Sequence, residues 1–199
     1  AMTLVMEHSA IVALGYFGTS EQVGVFTIAV KLSLLTSFIL ASINSIVAPK
    51  FAELYWGGKL EDLRKVIRFS SKTIFWTSAP VLLVLLAFPV FFMGVFGEGF
   101  RSGWLALMVL SVGQFVNSAC GSVGYFLLMT NGQRALMNII SAAALLNIVL
   151  CILLVPAIGI VGASVASTAT LIFWNITALI YIRLKYGIST FYLPLFSLV

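Results

Sequence analysis

The stretch Leu154-Val155-Pro156-Ala157-Ile158-Gly159-Ile160-Val161-Gly162-Ala163 lies in the middle of 48 consecutive residues, 135–182, without one charged side chain. A membrane-spanning helix takes about 20 apolar residues. A run this long therefore holds two helices. Pro156 and Gly159 mark the place where the first ends and the second begins. Working outward, residues 73–97 and 102–133 are also free of charge, and each is long enough for one span. Upstream, Met2–Phe17 reads as a helix. Gly18-Thr19-Ser20 reads as a turn with Ser20 capping a long helix from Glu21 to about Tyr55. The expected helices fall near 2–17, 21–55, 70–96, 101–130, 134–155 and 160–184. Continuous apolar runs do not fit the alternation of β-barrel strands. The fold class is thus all-α, a polytopic membrane protein built as a six-helix bundle.

Composition agrees. Of 199 residues, 61% are hydrophobic and 9% charged, against roughly 25% charged in a soluble domain. That excludes a soluble enzyme, a disordered tail and a nucleic-acid module. Cys120 and Cys151 lie inside apolar runs and read as small buried hydrophobes. No zinc spacing or disulfide framework is present. Ala1-Met2-Thr3 lacks the basic start of a cleaved signal peptide. The apolar end Leu195–Val199 is expected to belong to a longer membrane protein. On this reading residues 1–187 form a transmembrane lobe, and 188–199 begin a further span.

The eleven Lys and Arg side chains set the orientation, because cytoplasmic loops carry the excess of positive charge. Lys50, Lys59, Arg64, Lys65, Arg68, Lys72, Arg134, Arg183 and Lys185 fall on one side. Only Arg101 falls on the other. Both chain ends are therefore expected on the cytoplasmic face of the cell membrane. Gly57–Lys72 alternates Leu60, Leu63, Val66 and Ile67 with charges. It reads as an amphipathic interfacial elbow near 58–69, with lipid sensing or partner binding as the less plain alternative.

Lys31 is the positive charge that topology does not explain. It lies inside a span, as does Glu7. Both are 12 residues from Thr19, about 18 Å along their helices and near the middle of a ~30 Å core. Intramembrane charges are functional candidates by default. The two form a structural Glu–Lys pair, or they face a water-filled cavity, with Lys31 attracting an anionic headgroup and Glu7 coupling to protons or ions. A lipid-facing, protonated Glu7 is the third reading. His8 points about 100° away from Glu7 and has no second His for a metal. Gly113, Asn117, Gly121 and Gly124 share one helix face, and Gly159, Gly162, Ala163, Ala166 and Ser167 form another small-residue face. Both suit close helix packing. Asn44, Gln114 and Asn117 are further cavity candidates, with hydrogen bonding between helices as the plainer role. Asn138, Asn147 and Asn175 read as such glue. Pro49, Pro80 and Pro89 permit kinks. No catalytic constellation, metal set or cofactor motif appears.

The order of several stretches resembles the C-terminal half of polysaccharide flippases of the multidrug/oligosaccharidyl-lipid/polysaccharide exporter superfamily. They are Leu14–Ala29, Val47–Leu54 with its elbow, Val95–Phe100, Leu128–Gly132, Leu146-Asn147 and Val155–Ala163. The resemblance implies two six-helix lobes around a cavity that opens alternately to each side, with this chain as the second lobe. It implies a lipid-linked glycan, of polyprenyl pyrophosphate type, carried from the cytoplasmic to the outer leaflet among membrane lipids. Lys31 is the position fitted to the anionic headgroup. Glu7 falls where many relatives have an acidic residue. An N-terminal lobe would be the partner; a nucleic acid would not. The rival readings are a multidrug/cation antiporter of the same superfamily, a non-transporting assembly subunit, and an enzyme acting on glycan lipids, which the absent acidic or His cluster disfavours.

Overall fold

A computed structural model describes residues 2–188 and 190–192, with side chains from His8 onward. The described residues form helices and no strand. They run α1 (Met2–Phe17), α2 (Ser20–Trp56), α3 (Leu60–Ala87), α4 (Pro89–Gly94), a 3-10 turn (Glu98–Gly103), α5 (Trp104–Cys120), α6 (Val123–Met129) and α7 (Gln133–Tyr186). Among the described residues four segments are long and apolar enough to cross a membrane: Ser20–Trp56, Leu60–Ala87, Glu98–Cys120 and Gln133–Tyr186. The protein is an all-α polytopic membrane protein.

The 54 residues of α7 are two arms folded back on each other. Ile158 and Gly159 leave helical geometry, Gly159 at φ 56° and ψ −129°, a region that a residue with a Cβ enters only under strain. Asn147 Nδ2 donates to Thr170 Oγ1 at 3.2 Å. In a straight helix residues 23 apart would be about 35 Å apart. The reversal falls within the expected Pro156–Gly159 break.

Three boundaries differ from expectation. Thr19, and not Ser20, caps α2. The Thr19 hydroxyl accepts from the Gln22 N–H at 3.3 Å, and the Gln22 side-chain oxygen accepts from the Thr19 N–H at 3.2 Å, a reciprocal box that satisfies two otherwise orphaned donors. The elbow is not a separate helix. Its residues run without a break into α3, because Leu63, Ile67, Ser70, Ser71, Ile74 and Ser78 keep one buried stripe through Leu60–Ala87. That helix stops at Ala87, before Pro89 starts α4. The span expected over 101–130 breaks at Gly121 (φ 71°, ψ −151°). A Cβ there would meet Ser71 Oγ at 2.6 Å and the Thr190 carbonyl at 2.9 Å. The chain after α7 fills the break. Thr190 Oγ1 donates to the Cys120 carbonyl at 2.9 Å, and the Tyr192 N–H to the Ala119 carbonyl at 3.2 Å. A further span is expected to begin over 188–199; of these, 188 and 190–192 are described and are not helical, and 189 and 193–199 lie outside the described residues.

The apolar core is split in two. One cluster joins Leu14, Val25, Phe26, Met93, Leu107 and Val155. The other joins Phe51, Leu63, Ile67, Phe126, Leu127 and Ile182. The loops sort to the matching ends. A Cβ on Gly99 would lie 3.6 Å from Glu21 Oε1, and one on Gly159 would lie 3.7 Å from the Gln22 amide, so the turns near 18–20, 97–101 and 156–159 share one end. At the other end the Tyr186 hydroxyl donates to the Thr130 carbonyl at 2.9 Å, and the Tyr55 and Tyr186 rings lie 6.0 Å apart. Those contacts gather the loops bearing the nine basic residues.

Candidate functional site

Between the two apolar clusters the interior is polar. On one side of the molecule α1 packs chiefly on α7. Ser9 Oγ donates to Asn147 Oδ1, and Asn147 Nδ2 donates to Thr170 Oγ1 and, at 3.5 Å, to the Ala166 carbonyl. Thr170 Oγ1 also donates to the Ala166 carbonyl at 2.8 Å. Asn147 is 1% exposed. One amide thus ties three helical segments together, which is the interhelical role expected of intramembrane amides. Asn147 was legible as glue. Ser9 and Thr170 gave no signal of their own, since a lone hydroxyl in an apolar helix ordinarily bonds its own backbone.

The second polar region runs among α2, α3 and α5. Ser118 Oγ donates to the Thr36 carbonyl at 3.5 Å. Ser111 lies two turns along the same face of α5, and Ser78 lies two turns from Ser71 on α3. All are buried. Thr36 Oγ1, Ser71 Oγ, Ser78 Oγ, Ser111 Oγ and Ser122 Oγ have no hydrogen-bond partner among the described residues. Where α5 instead faces α7, small residues make the approach close: a Cβ on Gly113 would meet Thr168 at 2.9 Å, and Thr168 Oγ1 donates to the Val109 carbonyl at 3.0 Å.

Lys31 lies on the outward face of α2, exposed beside Leu34, Leu35 and Phe38, which are exposed as well. It makes no ion pair among the described residues. The Glu7 side chain lies outside the described residues. Beyond the Gly18-Thr19 turn α1 leaves α2 for residues 147–155 of α7, so the simple antiparallel hairpin that would set Glu7 beside Lys31 is not the main packing. Asn44 is buried, and its Oδ1 has no partner among the described residues. Gln114 and Asn117 are half-buried on α5. The two helices run in the same direction, from Val25 against Gly103 to Thr36 against Ser118. Gln114 and Asn117 therefore share the depth of Lys31–Thr36. Asn44 lies 13 residues beyond Lys31, about 20 Å along α2, and belongs to a different level. Among the described residues no three His, Cys, Asp or Glu converge as a metal site.

Beside Phe17 and Tyr16, α1 and the first arm of α7 border an open apolar groove of about 510 Å³, lined also by His8, Ser9 and Cys151. At the opposite, basic end the charges are partly paired: Lys50 with Glu53 at 2.7 Å, Arg64 with Glu61 at 2.7 Å and Lys65 with Asp62 at 3.0 Å. Lys185 Nζ donates to the Tyr181 hydroxyl at 3.1 Å and lies over the Tyr181 and Tyr186 rings.

No protein-family model matches the chain, and no solved structure matches it. Among curated proteins it is similar to a probable low-salt glycan biosynthesis flippase, Agl15, of Haloferax volcanii. The two are 28% identical over 159 residues, covering 77% of this chain. The matched region spans 33% of that relative's length.

Proposed function

We propose that this chain is one six-helix lobe of a flippase that carries a lipid-linked glycan, of polyprenyl pyrophosphate type, from the cytoplasmic to the outer leaflet. The observation that carries the reading is Lys31. It is a mid-span cation with an open face and no ion pair among the described residues, on a chain similar to a probable glycan flippase. A cation kept in a span at this expense has to meet an anion there, and a pyrophosphate headgroup supplies one. Hydrocarbon excludes the polar head, while the lipid tail stays at ease in it. A cavity lined by Lys31, with Gln114 and Asn117 at the same depth, gives the head a path. Glu7, at the depth of Lys31 along α1, is the candidate for proton or ion coupling. Asn44, a further cavity candidate, lies about 20 Å from Lys31 along α2, toward the basic end.

In this reading a second, N-terminal lobe supplies the facing wall, and the two lobes rock to open the cavity alternately. The folded-back arms of α7 together with α1, α2, α3 and α5–α6 make up the six spans. The basic end is cytoplasmic, as the loop charges require.

The test is export of the glycan by the full-length protein in cells that depend on it. Lys31→Ala is expected to reduce export by more than about tenfold, the loss of one charge-assisted contact, at unchanged membrane abundance. Lys31→Arg is expected to retain most of it. Normal export by Lys31→Ala would remove the headgroup role.

A further inference from the structure

The continuity of α3 places charges where a separate elbow would not. The helix has 28 residues, about 42 Å, against a hydrocarbon core of about 30 Å. Two or more turns therefore stand outside the core. All of its charges, Glu61, Asp62, Arg64, Lys65, Arg68 and Lys72, lie at its start, and residues 73–87 have none. Arg68 and Lys72 are thus the last charges before the hydrocarbon, at headgroup depth.

These two cations differ from their neighbours. Arg64, Lys65 and the nearby Lys50 are neutralised by Glu61, Asp62 and Glu53. Arg68 and Lys72 have no ion pair among the described residues, and no carboxylate lies within four positions of either. Arg64, Arg68 and Lys72 recur every four residues, so like charges stack on one face, which is unfavourable unless an anion sits between them. Both side chains are exposed, while the helix buries the opposite stripe of Leu63, Ile67 and Ile74. The cationic row continues directly into Trp76, then Leu83 and Val84, all exposed. From the end of the helix inward the face reads cation, cation, indole, alkyl.

We propose that this face binds an anionic phospholipid. Its phosphodiester sits between the Arg68 guanidinium and the Lys72 ammonium. Trp76 lies at the level of the glycerol, where indole rings favour the interface, and an acyl chain runs along Leu83 and Val84. Unpaired basic residues at a helix end are the features that recognise such headgroups. A zwitterionic lipid carries its own cation and is a poorer match to two unpaired positive charges. The site is separate from Lys31 and does not depend on what is transported.

The experiment uses the full-length protein in nanodiscs of phosphatidylcholine with a minor fraction of phosphatidylglycerol, and reads retained lipid by native mass spectrometry. The unmodified protein is expected to retain phosphatidylglycerol over phosphatidylcholine. Arg68→Ala with Lys72→Ala is expected to reduce that preference about tenfold or more, each nearby cation contributing roughly fivefold. Arg64→Ala with Lys65→Ala removes the same formal charge from paired positions and is expected to change it less than about twofold. Equal loss in both double variants, or no loss in the first, would overturn the site. A measurement on the unmodified protein is independent of whether the variants fold: raising the salt is expected to abolish the preference, and a preference indifferent to salt would overturn the proposal too.

Discussion

The molecule holds its polar interior in two ways. Where α1 meets α7, every polar atom of Asn147 is engaged, with Ser9, Thr170 and the Ala166 carbonyl as partners. Where α2, α3 and α5 meet, the hydroxyls of Thr36, Ser78 and Ser111 are equally buried and have no partner among the described residues. The first contact has one arrangement in which its bonds are made, so it acts as a latch. The second is lined by small hydroxyl side chains and has few directional bonds that fix the register. Helices can slide along such a surface with little loss. The alternating access proposed above would use both: a unit that moves as one body, and an internal surface that yields. Shear between packed helices is a recognised route for such motion.

The sharpest way to break the contrast is at the lower end of the yielding seam. Gly121→Val forces a β-branched residue to a positive φ and drives its Cβ against Ser71 and the Thr190 carbonyl. It is expected to destabilise the fold by about 3 kcal/mol, read as a fall in thermal unfolding temperature in detergent. Asn147→Leu comes next. It preserves volume but removes three interhelical bonds at about 0.6 kcal/mol each, so a loss of about 2 kcal/mol is expected. An unchanged melting temperature would mean that the latch is no stronger than its surroundings. Ser9→Ala removes one of those bonds, and about 0.6 kcal/mol should be lost. Ser78→Ala with Ser111→Ala should be the mildest. Deleting hydroxyls that have no partner among the described residues is expected to leave stability within about 0.5 kcal/mol or raise it. A loss as large as that of Asn147→Leu would erase the distinction between the regions.

The parts of this fold that could be read beforehand are those decided by local chemistry. Pro156 and Gly159 interrupt a run too long for one helix, and the reversal of α7 falls there. The nine basic residues collect at one end because their loops do. The break at Gly121 was not legible. Gly113, Gly121 and Gly124 look alike in an apolar run, and only Gly121 takes a positive φ, because Thr190 and Tyr192 arrive to bond the freed carbonyls. The separate elbow was expected from its charges, yet the buried stripe through Ile67, Ser71 and Ile74 carries one helix across the change in composition. Among the amides, Asn147 and Asn44 are indistinguishable as letters. One finds Ser9 and Thr170 beside it, and the other's carbonyl oxygen finds no partner among the described residues. Lys31 was legible by its scarcity, while its setting on an open face depends on how α1 turns away toward α7.

The plug at the Gly121 break has a consequence for how the chain is made. The carbonyl of Cys120 takes its bond from Thr190, a residue 70 positions later, and that of Ala119 from Tyr192. Synthesis at about 5–20 residues per second leaves those carbonyls waiting several seconds for their donors. During that interval water at the basic edge, or the insertion machinery, has to solvate them. Thr190 and Tyr192 therefore complete a helix break laid down much earlier in the chain.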